Sequence, residues 1–361
     1  MNILLTLAAG GIFGIIFTLL KIPNGLRIGA LFGAAMLGIF FNAAWMPAQT
    51  AFIVQAVAGA LVGCTMERSD LKRLPMIIKP ASITIISFLI LNLGIGSIIR
   101  NVGNLDWATA LLCVVPGGIS DIPIIAQDMG ADTPKVAIVQ LARYLVGVAF
   151  FPSMILTYDN FRQKIQRQAD GNAHNDNSPI AGDAAKAPKR EKSNVASLPA
   201  MLCTIAVAFG AGFLGRLTGI PAGAFSFSVM GTLVLKLKFD FAYISPGAKN
   251  TILLISGCYI GSLITMEDIL GFRTLALTTL IVLAGYIANC FITGKIISKT
   301  CGFTRKEGLL TTTPAGASDI ALSSAEIGVQ NTDIIVIQII RAIVAAAIFP
   351  QIINLLLPIL P

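Results

Sequence analysis

The stretch "VVPGGISD", residues 114–121, decides how this chain folds. It places a proline, two glycines, a hydroxyl and a carboxylate inside a run of apolar residues. Proline and glycine break a helix and leave backbone amides and carbonyls without partners. In hydrocarbon such groups are costly unless they line a cavity or another protein surface. A second stretch, "TTPAGASD", stands at 312–319. One such break is a weak signal, but two at corresponding places point to a built feature.

The surroundings set the class. The chain has 361 residues, of which 55% are hydrophobic and 12% charged, with mean hydropathy +0.81. That balance predicts an all-α polytopic membrane protein and not a soluble domain. The net charge of +8 does not indicate nucleic acid, because the basic residues flank the apolar segments. Segment 3–20 has no basic leader or small-residue cleavage pattern, so it is expected to stay as a first membrane helix. Cys64, Cys113, Cys203, Cys258, Cys290 and Cys301 show no C-x-x-C spacing and read as small packing residues. The single histidine, His174, cannot make an imidazole metal site. No cofactor is expected.

Shifted by 198 residues, the chain overlays itself without a gap. Gly14 meets Gly212, Gly25 meets Gly223, Gly59 and Gly63 meet Gly257 and Gly261, and Gly96 meets Gly294. Residues 116–152 share 12 of 37 positions with 314–350, where composition alone would give roughly three. The predicted units are a first membrane repeat (1–157), a polar linker (158–197) and a second membrane repeat (198–361). The linker has no apolar periodicity.

Apolar segments are predicted at 3–20, 26–42, 50–66, 76–99, 107–129 and 134–157. Their counterparts are 199–215, 224–240, 250–265, 274–298, 305–327 and 332–355. Segment 107–129 either crosses with a break or re-enters as a hairpin. A hairpin gives five crossings per repeat and inverted repeats; a crossing gives six and parallel repeats. Basic residues favour the cytoplasmic side. With inverted repeats and the N-terminus outside, 20 Lys and Arg fall inside and 4 outside, with Arg143 and Arg341 within the membrane. The parallel arrangement divides them 15 to 9. The expectation is therefore two inverted repeats of about five transmembrane helices, each with a Pro/Gly-broken or re-entrant segment, in a bacterial inner membrane with a cytoplasmic linker.

The candidate solute or ion site is built from both breaks: Pro116, Gly117, Gly118, Ser120 and Asp121, with Pro314, Gly316, Ser318 and Asp319. Half-helix N-termini favour anions and unwound carbonyls favour cations. The serines and aspartates also suit helix capping, which is compatible with binding. The helix after each break carries Gln140 and Arg143, or Gln338 and Arg341, three residues apart on one face. A membrane arginine needs a partner. It either pairs with Asp121 or Asp319, pinning the break, or adds positive charge to an anion site. Asp128 and Glu326 read as interfacial groups. Asn92 and Asn289 do not align under the shift.

The P-G-G-x-S-D break followed by a Q-x-x-R helix, present twice, resembles the bacterial AbrB membrane-protein family, a duplicated domain distinct from the DNA-binding regulator of that name. The second copy departs from the motif with Ala315. The resemblance implies kinship with cation–proton antiporters and anion transporters, with inverted repeats and discontinuous helices. Family members are also labelled as gene-expression regulators or ammonia monooxygenases; the latter lacks a metal-ligand set here.

The expected function is a secondary transporter of a small solute, an organic anion by its charge type, coupled to H⁺ or Na⁺. The alternative is a membrane regulator that senses a solute without moving it. No nucleophile–base pair or nucleotide-binding motif suggests an enzyme. The expected partners are lipid and a small solute, with a homodimer left open.

Overall fold

The computed structural model describes residues 2–22, 24–119, 121–149, 151, 154–155, 157, 198–220, 222–266, 268, 272–327, 329 and 331–360. The predicted linker lies outside them, as does Ser120. Among the described residues every regular element is helical.

The first repeat holds α1 (Asn2–Leu19), α2 (Gly25–Phe41), α3 (Gln49–Gly63), α4 (Arg68–Gly103), α5 (Trp107–Val114), α6 (Asp121–Asp128) and α7 (Thr133–Ala149). The second holds α8 (Leu198–Leu217), α9 (Gly223–Val234), α10 (Pro246–Gly261), α11 (Phe272–Thr300), α12 (Arg305–Thr312), α13 (Ala317–Ile327), α14 (Asp333–Ala347) and α15 (Phe349–Leu356). Among the described residues, five spans are long and apolar enough to cross a membrane: α1, α4, α8, Leu275–Thr300 in α11, and Asp333–Leu356, which joins α14 to α15. The shorter apolar helices α2 and α3 accompany them. The segment expected at 224–240 is not one regular helix, because α9 passes into a π-helical turn at Leu235–Phe239.

Local chemistry sets the ends. Glu67 and Asp70 form a capping box at the start of α4, and Thr304 with Glu307 forms another before α12. Asp106 accepts from Thr109 N at 2.9 Å and starts α5. At 36 residues, α4 is about 54 Å long. Its basic beginning therefore extends beyond the hydrocarbon.

The two repeats share internal contacts and also pack reciprocally on each other. Trp45 N donates to Thr6 Oγ1 at 3.0 Å, and 198 residues on Tyr243 N donates to Thr204 Oγ1 at 2.9 Å. α3 packs on α9, and α10 packs on α2. Glycine permits both approaches: a Cβ on Gly59 would sit 2.8 Å from Phe225 O, and one on Gly257 2.6 Å from Arg27 O. The equivalent helices α4 and α11 lie antiparallel. Lys79 reaches Thr300 O, Phe88 packs on Tyr286, and Gly103 abuts Thr278.

Segment 107–129 turns back on itself. Asp132 N donates to Thr109 Oγ1 at 2.8 Å, so the chain leaves the break on the side where it entered. Gly130, at φ +69°, makes the following turn in the left-handed region that suits glycine. α7 then runs alongside α5, with Gln140 beside residues 112–115.

Candidate functional site

Each break is an extended segment that links a half-helix to its return. Its exposed carbonyls are collected by the helix that follows. Gln140 Nε2 donates to Leu112 O at 2.9 Å and Val115 O at 3.0 Å. Gln338 Nε2 repeats this with Leu310 O and Thr311 O, both at 2.9 Å, and Thr313 O at 3.2 Å. A buried side-chain amide replaces the hydrogen bonds that the interrupted helices lost.

The arginines complete the clasp. Arg143 donates from Nε to Gln140 Oε1 at 3.0 Å, from Nη2 to Gly117 O at 2.6 Å, and from Nη1 across to Pro314 O at 3.0 Å. Arg341 donates from Nη1 to Thr313 O at 3.2 Å and from Nη2 to Ala315 O at 2.8 Å. Arg143 Cζ lies 5.6 Å from the Tyr286 ring and Arg341 Cζ 5.7 Å from the Phe88 ring, so each stacks on the other repeat. The alternative of an Asp121–Arg143 or Asp319–Arg341 ion pair is not what forms. The guanidiniums take break carbonyls, whose fixed dipoles gather at the C-terminal ends of α5 and α12.

Both breaks line one cavity of about 420 Å³. Its wall includes Gly117, Gly118, Asp121 and Arg143 from the first repeat, and Pro314, Gly316, Asp319 and Arg341 from the second. Pro116, Gln140 and Gln338 are not on the wall; they are buried behind it. Ser120 is outside the described residues, and nothing is described of the Ser318 side chain. Asp121 folds back over Gly118, where a Cβ would lie 2.1 Å from its Oδ2. Asp319 lies beside the Tyr144 hydroxyl and the Gly316 backbone. Asp128 reaches the other repeat, accepting from Ala222 N at 2.9 Å. Asn92 donates to Leu111 O at 2.7 Å, and its counterpart under the shift is Cys290, set against Leu309 O.

Among the polar wall residues that sequence reasoning missed are Asn24, Arg27, Tyr144, Lys236 and Lys249. None recurs 198 residues away, where Ala222, Phe225, Ala342, Gly38 and Ala51 stand. A search for repeated residues passes over them. The available signal was the opposite one, polar residues that break an otherwise good self-alignment. The wall runs from the break tips to residues 24, 64–65 and 242–249, and no described residue of the loops at the opposite helix ends contributes to it.

A family model described as "Transition state regulatory protein AbrB" matches residues 1–159 and again residues 166–357. The chain belongs to the AbrB family. One match covers the first repeat; the other covers most of the second together with residues 166–197 before it. The chain is also similar to the uncharacterized protein YhjN of Bacillus subtilis (strain 168). The two are 24% identical over 367 residues, covering 97% of this chain and 91% of the relative.

Proposed function

We propose that this AbrB-family protein is a secondary transporter of a small organic anion, coupled to H⁺ or Na⁺. One observation carries the proposal: the tips of two interrupted membrane elements, one from each repeat, meet at a single cavity. That arrangement suits a solute held where freed backbone dipoles and buried charges converge. Five cationic side chains on the wall stand against two carboxylates, which favours an anion.

Inverted repeats fit this reading, and three features support them. Hairpin re-entry leaves an odd number of crossings per repeat, so consecutive repeats point opposite ways. Equivalent helices α4 and α11 are antiparallel. Arg68 at the start of α4 donates to Leu237 O and Lys238 O at the end of α9, as expected only if both ends share a face. The positive-inside count puts that face, and the cavity mouth, in the cytoplasm. The outward-open state would exchange the roles of the two repeats.

Reconstitution into proteoliposomes tests the proposal. Uptake of labelled carboxylates should depend on a pH or Na⁺ gradient. Uptake that is absent for every organic anion under every gradient removes the transporter assignment. Saturable binding without uptake would instead identify a membrane sensor.

A further inference from the structure

We propose that Arg27 is the seat for a small carboxylate anion, and that the seat fills together with one proton taken by Asp319. The proposal rests on the transporter reading above and gives it a residue and a stoichiometry.

The repeated arginines are already engaged. Arg143 spends Nε, Nη1 and Nη2 on Gln140, Pro314 and Gly117, and Arg341 spends both terminal nitrogens on Thr313 and Ala315. Arg27 differs. It lines the cavity and makes no hydrogen bond or ion pair with a described residue; its buried Nε, like that of Arg341, has no partner. Its guanidinium offers five donors in a planar fork that fits a carboxylate.

Opposite it stands an acceptor that is also short of partners. Asp319 lies beside the Tyr144 hydroxyl and Gly316, and its Oδ2 is buried with no partner. Tyr144 is itself held by Asn24 Nδ2. The titratable groups that face Asp319 and Arg27 are each other, Asp121 from the first break and the neutral Tyr144 phenol from α7. Arg143 and Arg341 complete the inner wall. Lys249 is exposed, and Lys236 is buried and tied to Asp240 at 3.4 Å.

Arg27 is thus the wall guanidinium with no carbonyl partner, and Asp121 and Asp319 both face it. A bound anion would make three negative charges around it, while Arg143 and Arg341 are engaged with carbonyls and Lys236 with Asp240. One proton removes the conflict. It passes from the aqueous mouth to Asp319 Oδ2 and forms an O–H bond there. The neutral carboxyl then donates that hydrogen to the anion's second oxygen. No bond within the anion changes. Asn24, Arg27 and Tyr144 have no counterpart in the other repeat, where Ala222, Phe225 and Ala342 stand. The repeated glutamines and arginines build the breaks, and the unrepeated Asn24, Arg27 and Tyr144 join the repeated Asp319 at the ligand. A cavity of about 420 Å³ lies toward the small end of ligand sites.

The experiment uses the purified full chain in detergent. Acetate, benzoate, succinate and inorganic phosphate are titrated by calorimetry at acidic and neutral pH, in buffers of different ionisation enthalpy. At least one carboxylate should bind, more tightly at acidic pH, with uptake of about one proton. Arg27→Gln should weaken it by about tenfold or more, and Arg27→Lys should restore part of the affinity. Asp319→Asn should bind with a flat pH profile and no proton uptake; it carries the test if Arg27→Gln fails to fold. Wild-type affinity in Arg27→Gln, binding without proton uptake, preference for phosphate, or no binding by any probe would each overturn the proposal. Normal proteoliposome uptake by Arg27→Gln would overturn the seat and leave the transporter assignment standing. Proton-linked binding lost in Arg27→Gln, but with no uptake by wild type, would support the seat and remove the transporter assignment.

Discussion

Arg143 donates from Nη1 to the carbonyl oxygen of Pro314, 3.0 Å away in the opposite repeat, whereas Arg341 makes both of its terminal bonds within its own repeat. The clasp is therefore not two-fold. Where Arg143 Nε meets Gln140 Oε1, the corresponding atoms Arg341 Nε and Gln338 Oε1 are both buried without partners.

This difference makes the two arginines unequal in stability. Arg143→Gln leaves the Gly117 and Pro314 carbonyls without their donor and should cost about 2–4 kcal/mol. Arg341→Gln should cost less, because one nitrogen of Arg341 already lacks a partner. Thermal unfolding of the two purified variants, side by side, checks the order; equal losses would contradict it.

The glutamines can be separated from the arginines. Gln140→Glu replaces a donor that serves several carbonyls with an acceptor facing them. A loss of about 3 kcal/mol or more is expected, with the protein still entering the membrane because the apolar helices are unchanged. Gln338→Glu should behave alike, since the same three backbone positions surround it. Folded yield and melting temperature in detergent read both.

Glycines at the crossings should divide into two groups. Gly257→Ala would place a methyl 2.6 Å from Arg27 O and should separate α10 from α2, at a cost of about 1–3 kcal/mol. Gly94 in α4 has nothing within 4 Å of a built Cβ. Gly94→Ala should be neutral or stabilising by up to about 1 kcal/mol. A melt in which both variants lose stability equally would show that the packing differs from this description.

Hairpin re-entry has a direct topological consequence. Single cysteines in place of Asp106 and Lys135 should be labelled from the same side of the membrane by an impermeant thiol reagent. Cysteines replacing Lys72 and Arg305 should be labelled from the other side. Labelling of positions 106 and 135 from opposite sides would mean that segment 107–129 crosses.

Much of the fold was legible in the residues. Apolar runs separated by basic loops define membrane segments, because lipid excludes charge. The 198-residue shift exposes the duplication, and Pro116 and Pro314 mark the interruptions, because proline removes an amide and clashes with the preceding turn. The partners of Arg143 were not legible. A charge in lipid must be satisfied, but sequence alone does not say whether a carboxylate or a set of carbonyls will do it.

The sequence by itself determined the class, the two repeats, the place of each break and the family. Only the tertiary structure decided that segment 107–129 returns, that the arginines clasp carbonyls and not aspartates, and that Arg27, Tyr144 and Asn24 join the breaks at one cavity. The physical reason is that hydropathy and helix breaking act along the chain, within a few residues of each other. Hydrogen-bond partnership across repeats depends on which surfaces meet, and these residues lie on helices far apart in the chain that only folding brings together.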